Sequence, residues 1–132
     1  MKPLNSLGKR DLLAAKKFDP EIVRAYGEDY FQQERYGEAF EFFRKIGDAE
    51  GIRRVKQQAA EMGDPELLWR IANMDAQQVS SADWSQCGEG ALRLEKYRSA
   101  AFAFARAGYE ARRAEAERHF MPESPTPAHS PA

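Results

Sequence analysis

Cysteine and histidine, the side chains most often used as nucleophile and base, are scarce in this sequence of 132 residues. There is one cysteine, Cys87, and there are two histidines, His119 and His129. A reactive thiolate needs a neighbouring base or cation that lowers its pKa, and neither histidine is placed to do this. Because Cys87 falls at a small-residue position on the inner face of a predicted helix, we expect a buried structural thiol.

Sites for metals and cofactors are not indicated by the remaining residue types. A zinc site needs clustered cysteine and histidine ligands, and one cysteine cannot supply them. The motif GxGxxG, the motif GxxxxGK followed by Ser or Thr, and the hydrolase motif GxSxG do not occur. The carboxylates of Asp48, Glu50 and residues 34–41 have the positions of helix caps and solvated faces. We therefore expect a protein that is not an enzyme and that binds no metal or cofactor.

The charge distribution makes a nucleic-acid partner unlikely. The formal net charge is −1, and residues 1–18 form a basic arm with five basic side chains against Asp11 alone. A nucleic-acid surface concentrates such groups on one face among aromatic residues, which this sequence does not do. Residues 19–48 hold eight acids against four bases, so the arm and this acidic segment are expected to attract each other. A second basic cluster consists of Arg53, Arg54 and Lys56.

Features of membrane and secreted proteins are missing from the sequence. No apolar run approaches the 18 or so residues that span a bilayer, and the start, MKPLNSLGKR, lacks the apolar middle of a signal peptide. A single cysteine allows no internal disulfide, which suits a reducing compartment. We expect a cytoplasmic protein with no membrane partner.

The elements that must carry these side chains are indicated by an internal repeat. Residues 34–48, ERYGEAFEFFRKIGD, return as EKYRSAAFAFARAGY at residues 95–109. Aligning residues 27–47 with the segment 61 positions later gives seven identities: Gly27/Gly88, Glu28/Glu89, Glu34/Glu95, Tyr36/Tyr97, Ala39/Ala100, Phe43/Phe104 and Gly47/Gly108. Self-similarity at this scale is typical of stacked-repeat proteins, whose units cannot bury their apolar faces alone.

The apolar spacing within a copy predicts a helical hairpin. An i, i+3, i+4, i+7 stripe is formed by Tyr36, Ala39, Phe40, Phe43 and Ile46. Asp19 and Pro20 give a helix-start signal before the first copy, and Gly37 is predicted to form the turn between its two helices. Gly27 would let the two helices approach closely.

Three hairpins account for the repeat domain, which we place at residues 19–120. The middle hairpin is predicted to have shorter helices, and its second helix has Asp64 as its cap and Pro65 in its first turn. The loop before the third hairpin is predicted to end in a cap at Asp83 or Ser81. The predicted hairpins lie at about 19–47, 49–75 and 83–108.

Segments of different character flank the hairpins. The arm, residues 1–18, contains a predicted short helix at 6–17, and a polar capping helix is predicted at 108–120. Residues 121–132 hold four prolines in twelve positions and are predicted to be a disordered tail.

The order of small and large residues resembles the tetratricopeptide repeat (TPR). The first copy, YGEDYFQQERYGEAFEFF, follows the pattern of aromatic, glycine and aromatic on one helix and Tyr, Ala and Phe on the next. Both copies lack the proline that often closes such a repeat, and the middle hairpin does not match. The resemblance implies an all-α fold, a short αα-superhelix of stacked helical hairpins (an α-α solenoid). In the second copy the matching residues are Trp84, Gly88, Tyr97, Ala100 and Phe104.

The resemblance also implies where a partner binds, because the first helix of each such hairpin usually lines a groove. The alternative for Phe31 and Leu92 is packing against the next hairpin. Glutamates lie where a TPR carboxylate clamp has neutral amides, which favours a ligand of basic or mixed character. The implied groove positions are Arg24, Glu28, Phe31 and Gln32 in the first copy and Ser85, Glu89, Leu92 and Arg93 in the second.

Two aromatic residues, Trp69 and Phe42, lie away from the apolar stripes of their helices. Each is either packed against a neighbouring hairpin or exposed as an anchor for a partner or a second copy of the chain. For Trp69 we favour packing.

These observations predict a non-catalytic protein–protein interaction module, an adaptor or scaffold that binds a protein or peptide on its helical-repeat surface. One alternative is a homo-oligomeric structural module. A weaker alternative is a nucleic-acid-associated accessory protein that uses the basic arm. The predicted binding residues are Arg24, Glu28, Phe31, Gln32, Trp69, Glu89, Leu92 and Arg93.

Overall fold

A computed structural model describes residues 2–122 of the chain. Within this range the regular structure is eight α-helices and one 3₁₀ turn, with no strand, which confirms the all-α class. No helix in the same range is long and apolar enough to cross a membrane. The predicted tail lies outside the described residues from position 123 onward. The elements are α1 (Ser6–Ala14), α2 (Pro20–Gln32), α3 (Tyr36–Lys45), α4 (Ala49–Glu61), α5 (Pro65–Met74), the 3₁₀ turn (Ala76–Gln78), α6 (Ser81–Arg93), α7 (Tyr97–Ala107) and α8 (Glu110–Glu117).

Helix starts follow the predicted caps with one exception. The Asp19 side chain accepts a hydrogen bond from the backbone N–H of Glu21 at 2.9 Å, and Asp64 caps α5 in the same way. The cap of α6 is Ser80, not Asp83 or Ser81 as predicted. Ser80 Oγ accepts from the Asp83 N–H and the Asp83 carboxylate accepts from the Ser80 N–H, at 3.1 and 2.8 Å. This reciprocal pair satisfies two of the N–H groups that a helix start leaves without partners.

The turn inside each repeat copy is not made by glycine. Gly37, the predicted turn residue, lies inside α3. The left-handed residue is Glu34, with φ of 60°, and its counterpart Glu95 has φ of 58°. The Arg35 N–H donates back to the Tyr30 carbonyl at 2.9 Å, so hydrogen bonds hold a conformation that non-glycine residues rarely adopt.

Two outer helices are shorter than predicted. α1 ends at Ala14 rather than at residue 17, and the last helix covers Glu110–Glu117 rather than 108–120. The chain divides into two compact units, Met1–Gln58 and Ala59–Ala132, and the boundary falls within α4.

In the first unit, α2, α3 and α4 meet at the ring of Phe43. A Cβ atom at Gly27 would lie 2.7 Å from this ring, and one at Gly51 of α4 would lie 2.6 Å from it. At both positions the helix backbone therefore lies closer to the ring than any residue with a Cβ atom would permit. Phe42 is fully buried and stacks on Tyr30 with ring centroids 5.3 Å apart. It is therefore a packed core residue and not an exposed anchor.

Two lysines attach α1 to the rest of the first unit. Lys9 Nζ forms an ion pair with Glu38 at 3.3 Å, so the arm does contact the acidic hairpin. Lys45 Nζ on α3 donates to the carbonyl oxygens of Leu13 and Ala15 at 2.8 and 2.7 Å. These carbonyls lie at the end of α1, where a cation is electrostatically favourable.

The second unit repeats the glycine–phenylalanine contact in its α6–α7 hairpin. A Cβ atom at Gly88 would lie 2.7 Å from the Phe104 ring. α8 packs against α7, and its Ala116 is buried in the same cluster as Phe104. Gly90 meets the end of α4, since a Cβ atom there would lie 2.7 Å from the carbonyl oxygen of Ala60.

Candidate functional site

The predicted binding positions on α2 largely contact their own unit. Arg24 pairs with Glu21 at 2.7 Å and with Asp48 at 3.4 Å, and the Glu21 carboxylate raises the pKa of Arg24. Gln32 is exposed.

Glu28 and Phe31 share one partner, the Arg54 side chain of α4. The Glu28 carboxylate accepts a hydrogen bond from Arg54 at 2.6 Å and raises the pKa of that guanidinium. The same guanidinium lies 4.3 Å from the centroid of the Phe31 ring, and Phe31 also meets Tyr36 edge to face at 5.0 Å. Phe31 is half-buried by these contacts, which are of the kind that its alternative, packing, predicts.

The matching positions on α6 have a similar arrangement. Arg112 of α8 donates to both carboxylate oxygens of Glu89, at 2.7 and 2.6 Å, and this contact raises the pKa of Arg112. Leu92 is half-buried against the core of the second unit. Arg93 is exposed, and its guanidinium donates to the Glu61 carbonyl at 3.4 Å.

These contacts change the expected ligand chemistry. Glu28 and Glu89 are the residues from which the sequence predicts a ligand of basic or mixed character, but each already holds an arginine of a later helix. Two nitrogens of Arg112 bind Glu89 and one nitrogen of Arg54 binds Glu28, so neither carboxylate is an unpaired acceptor for a basic ligand. The repeated glutamate is therefore explained by helix-to-helix pairing within each unit.

Trp69 belongs to a different surface, an open groove between α5 and α7 in the second unit. The groove has a volume of about 510 Å³, within the range of ligand-binding clefts. We call it the α5–α7 groove. Its lining residues are Pro65, Glu66 and Trp69 of α5 and Arg98, Ser99, Phe102 and Arg106 of α7.

The groove exposes two large aromatic side chains. Trp69 is 38% exposed and Phe102 is 46% exposed, so the packing favoured for Trp69 is incomplete. On α5 the core is filled by Leu67, Leu68 and Ile71, which leaves Trp69 on the opposite side. On α7 small alanines and Phe104 face the core, whereas Phe102 lies at its margin, where its ring meets the buried Trp84 edge to face at 6.1 Å and stays 46% exposed.

Two arginines flank the exposed rings and stack on aromatic faces. The Arg106 guanidinium lies 4.3 Å from the Trp69 ring centroid and 5.3 Å from that of Trp84. The Arg98 guanidinium lies 4.6 Å from the centroid of Phe120. Neither arginine has a carboxylate partner among residues 2–122.

Phe102 was missed by the sequence reasoning, although a signal for it existed. The repeat alignment places Phe102 opposite Glu41 of the first copy, so a polar position has become a large aromatic one. It also lies four residues from both Arg98 and Arg106, which puts the three side chains on one helix face.

Cys87 and His119 of the second unit both make packing contacts. Cys87 is fully buried, and this burial raises the pKa of its thiol to about 12, so it stays protonated at neutral pH. His119 stacks on Tyr97 with ring centroids 3.8 Å apart. Residues 2–122 contain no cluster of His, Cys, Asp and Glu side chains that could hold a metal ion.

Comparison with protein-family models, with curated proteins and with solved structures finds no match to this chain.

Proposed function

We propose that this chain is a non-catalytic protein–protein interaction module, an adaptor or scaffold that binds a protein or peptide in the α5–α7 groove. The observation that carries the proposal is the pair Trp69 and Phe102, two exposed aromatic side chains that line one groove. Aromatic anchors next to arginine are the side chains most enriched at the centres of interfaces.

We also propose a TPR-like arrangement, in which the hairpins stack as a short α-α solenoid. Support comes from the 61-residue repeat and from the equivalent contacts of Gly27 with Phe43 and of Gly88 with Phe104. A cytoplasmic location fits the single cysteine, which is a free thiol.

A second candidate function, self-association, is favoured by the same exposed aromatics. A further copy of the chain would cover Trp69 and Phe102 and form a homo-oligomeric structural module. It would differ from the adaptor in one respect, because its mass in solution would rise with its own concentration.

The test is partner capture with wild type and three variants, followed by direct binding measurements on the purified partner. The groove variant is Trp69→Ala with Phe102→Ala, and the control is Ile22→Ala, which removes an apolar side chain that is 49% exposed in the other unit. The third variant, Arg24→Ala with Glu28→Ala, tests the α2 surface that the sequence predicted.

We expect a partner that binds wild type and the control but not the groove variant. Loss only with the α2 variant would transfer the site to α2. A concentration-dependent mass that the groove variant abolishes, with no other partner, would establish self-association instead.

A further inference from the structure

The charge in the α5–α7 groove points to the kind of partner, an inference that rests on the proposed function. We infer that the groove binds an extended acidic peptide segment in which a large apolar side chain lies between two carboxylates. The lining contains Arg98 and Arg106 on α7 against one carboxylate, Glu66, on α5. An acidic segment along α7 is therefore the complementary ligand.

The two arginines are prepared for carboxylates by their aromatic stacking. Arg106 lies 4.3 Å from the ring centroid of Trp69 and 5.3 Å from that of Trp84, and Arg98 lies 4.6 Å from that of Phe120, so aromatic rings contact both guanidiniums. The N–H donors lie on the edge of the guanidinium plane and remain available for a bidentate carboxylate. Stacking also restricts the side chains, which lowers the entropy lost on binding.

Three other arginines in the described part of the chain already hold carboxylates. Arg54 and Arg112 already hold Glu28 and Glu89, and Arg53 pairs with Glu50. Arg98 and Arg106 have no such partner among residues 2–122. They are therefore the arginines of this surface that gain most from an external acid.

The spacing along α7 sets the length of the ligand motif. Arg98 and Arg106 are eight residues apart, which is about 12 Å along a helix at 1.5 Å per residue. An extended chain covers about 13 Å in four residues, so two glutamates at i and i+4 match the two arginines. A residue at i+2 then lies opposite Phe102, which is midway between them.

An extended segment needs fewer residues than a helix to reach both arginines. A helical ligand would need its two acids about eight residues apart, and helices shorter than about 12–15 residues are marginal in water. The groove, of about 510 Å³, suits one apolar side chain with its neighbouring backbone.

The test is a titration of the full chain with synthetic peptides, observed by NMR. The acidic probe is acetylated, amidated Gly-Glu-Ala-Phe-Ala-Glu-Gly, and two matched peptides carry glutamine or lysine in place of both glutamates. The chain has two tryptophans, and a Trp69→Phe variant assigns the indole N–H signal of Trp69. Shifts of that signal report binding in the groove.

We expect the acidic peptide to bind about tenfold more tightly than the glutamine peptide, or about 1.4 kcal/mol, and the lysine peptide to bind most weakly. Arg98→Gln with Arg106→Gln should abolish this preference. The control Arg44→Gln removes an exposed arginine of the other unit and should preserve it.

Equal affinity for the three peptides, or a preference that survives the double arginine variant, would overturn the acidic ligand while leaving groove binding itself intact. Absence of any Trp69 shift with the acidic peptide would also overturn it. The proposed function fails separately, when partner capture does not depend on Trp69 and Phe102.

Discussion

At the residue scale, the positions with least tolerance are the glycines that touch phenylalanine rings. Gly88 lies in α6 and leaves 2.7 Å between a potential Cβ atom and the Phe104 ring. Real Cβ contacts are longer than this, and the fully buried Phe104 has little room to move in a close-packed core.

We predict that Gly88→Ala lowers the free energy of unfolding by about 1–3 kcal/mol, as overpacking of a core does. On an unobstructed helix the same change would stabilise by about 0.5–1 kcal/mol, so the sign of the effect is diagnostic. Urea denaturation measures it. Adding Phe104→Leu to Gly88→Ala should recover part of the loss, whereas a Gly88→Ala protein as stable as wild type would contradict the packing.

Cys87 provides a second prediction at this scale. Its thiol is fully buried and its pKa is raised to about 12, so we expect alkylation at neutral pH at least about a hundredfold slower in the folded chain than in guanidinium chloride. Mass spectrometry after timed iodoacetamide treatment gives both rates. Similar rates in the two states would show that the thiol is accessible.

The same thiol makes stability depend on pH in the alkaline range. Its ordinary pKa is 9.0 and its folded pKa is about 12, so the unfolded chain loses this proton first. The buried thiol makes its full contribution to the free energy of unfolding below pH 9.0. This contribution is lost as the pH rises from 9.0 to about 12. Cys87→Ala should remove this part of the alkaline decrease in the free energy of unfolding.

At the element scale, arginine–glutamate pairs join the first helix of each hairpin to a later helix. Glu28 on α2 holds Arg54 on α4, and Glu89 on α6 holds Arg112 on α8. The two equivalent glutamates thus bind arginines on α4 and α8, two helices that have different sequences. Because these side chains are partly exposed, each pair contributes only modestly to stability.

We predict that Glu89→Gln loosens α8 selectively. The loss should be at most about 1 kcal/mol, seen as faster hydrogen exchange of the α8 amides with little change in the buried middle of α7. Glu115→Gln is the matched control, because it removes a partner of Arg112 that lies within α8. If both variants accelerate α8 exchange equally, the α6 contact has no special role.

At the scale of the whole molecule, the positive charge is largely matched by negative charge. The formal net charge is −1. The basic arm contacts the acidic hairpin through Lys9 and Glu38, and the basic cluster of α4 is partly neutralised by the Arg53–Glu50 and Arg54–Glu28 pairs. A surface of this kind does not collect phosphates over a long stretch.

We therefore expect weak retention on heparin, with elution at or below about 0.15 M salt, where screening already acts over about 8 Å. Salt-gradient chromatography of the full chain measures this. Stronger retention that disappears in Lys16→Gln with Lys17→Gln would favour a nucleic-acid partner for the basic arm.

The sequence by itself determined the helices, because their signals are local. Apolar spacing gave α2, α3, α6 and α7, the caps Asp19 and Asp64 gave the starts of α2 and α5, and the repeat related the two copies. Burial of Cys87 also followed, since its place on a helix face depends only on nearby residues. The turn at Glu34 did not follow, because backbone hydrogen bonds to the end of α2, such as that from Arg35 to Tyr30, hold its left-handed conformation without a glycine to mark it.

Only the tertiary structure showed which side chains of the candidate surfaces are paired and which stay open. The residues on α2 and α6 were chosen for their helix face, yet Glu28 and Glu89 find arginines more than 20 positions away in the chain. The α5–α7 groove joins Trp69 to Arg106, which are 37 positions apart. Periodicity states which side of one helix is apolar, but the packing of other helices decides which aromatic and charged side chains stay exposed and which become paired.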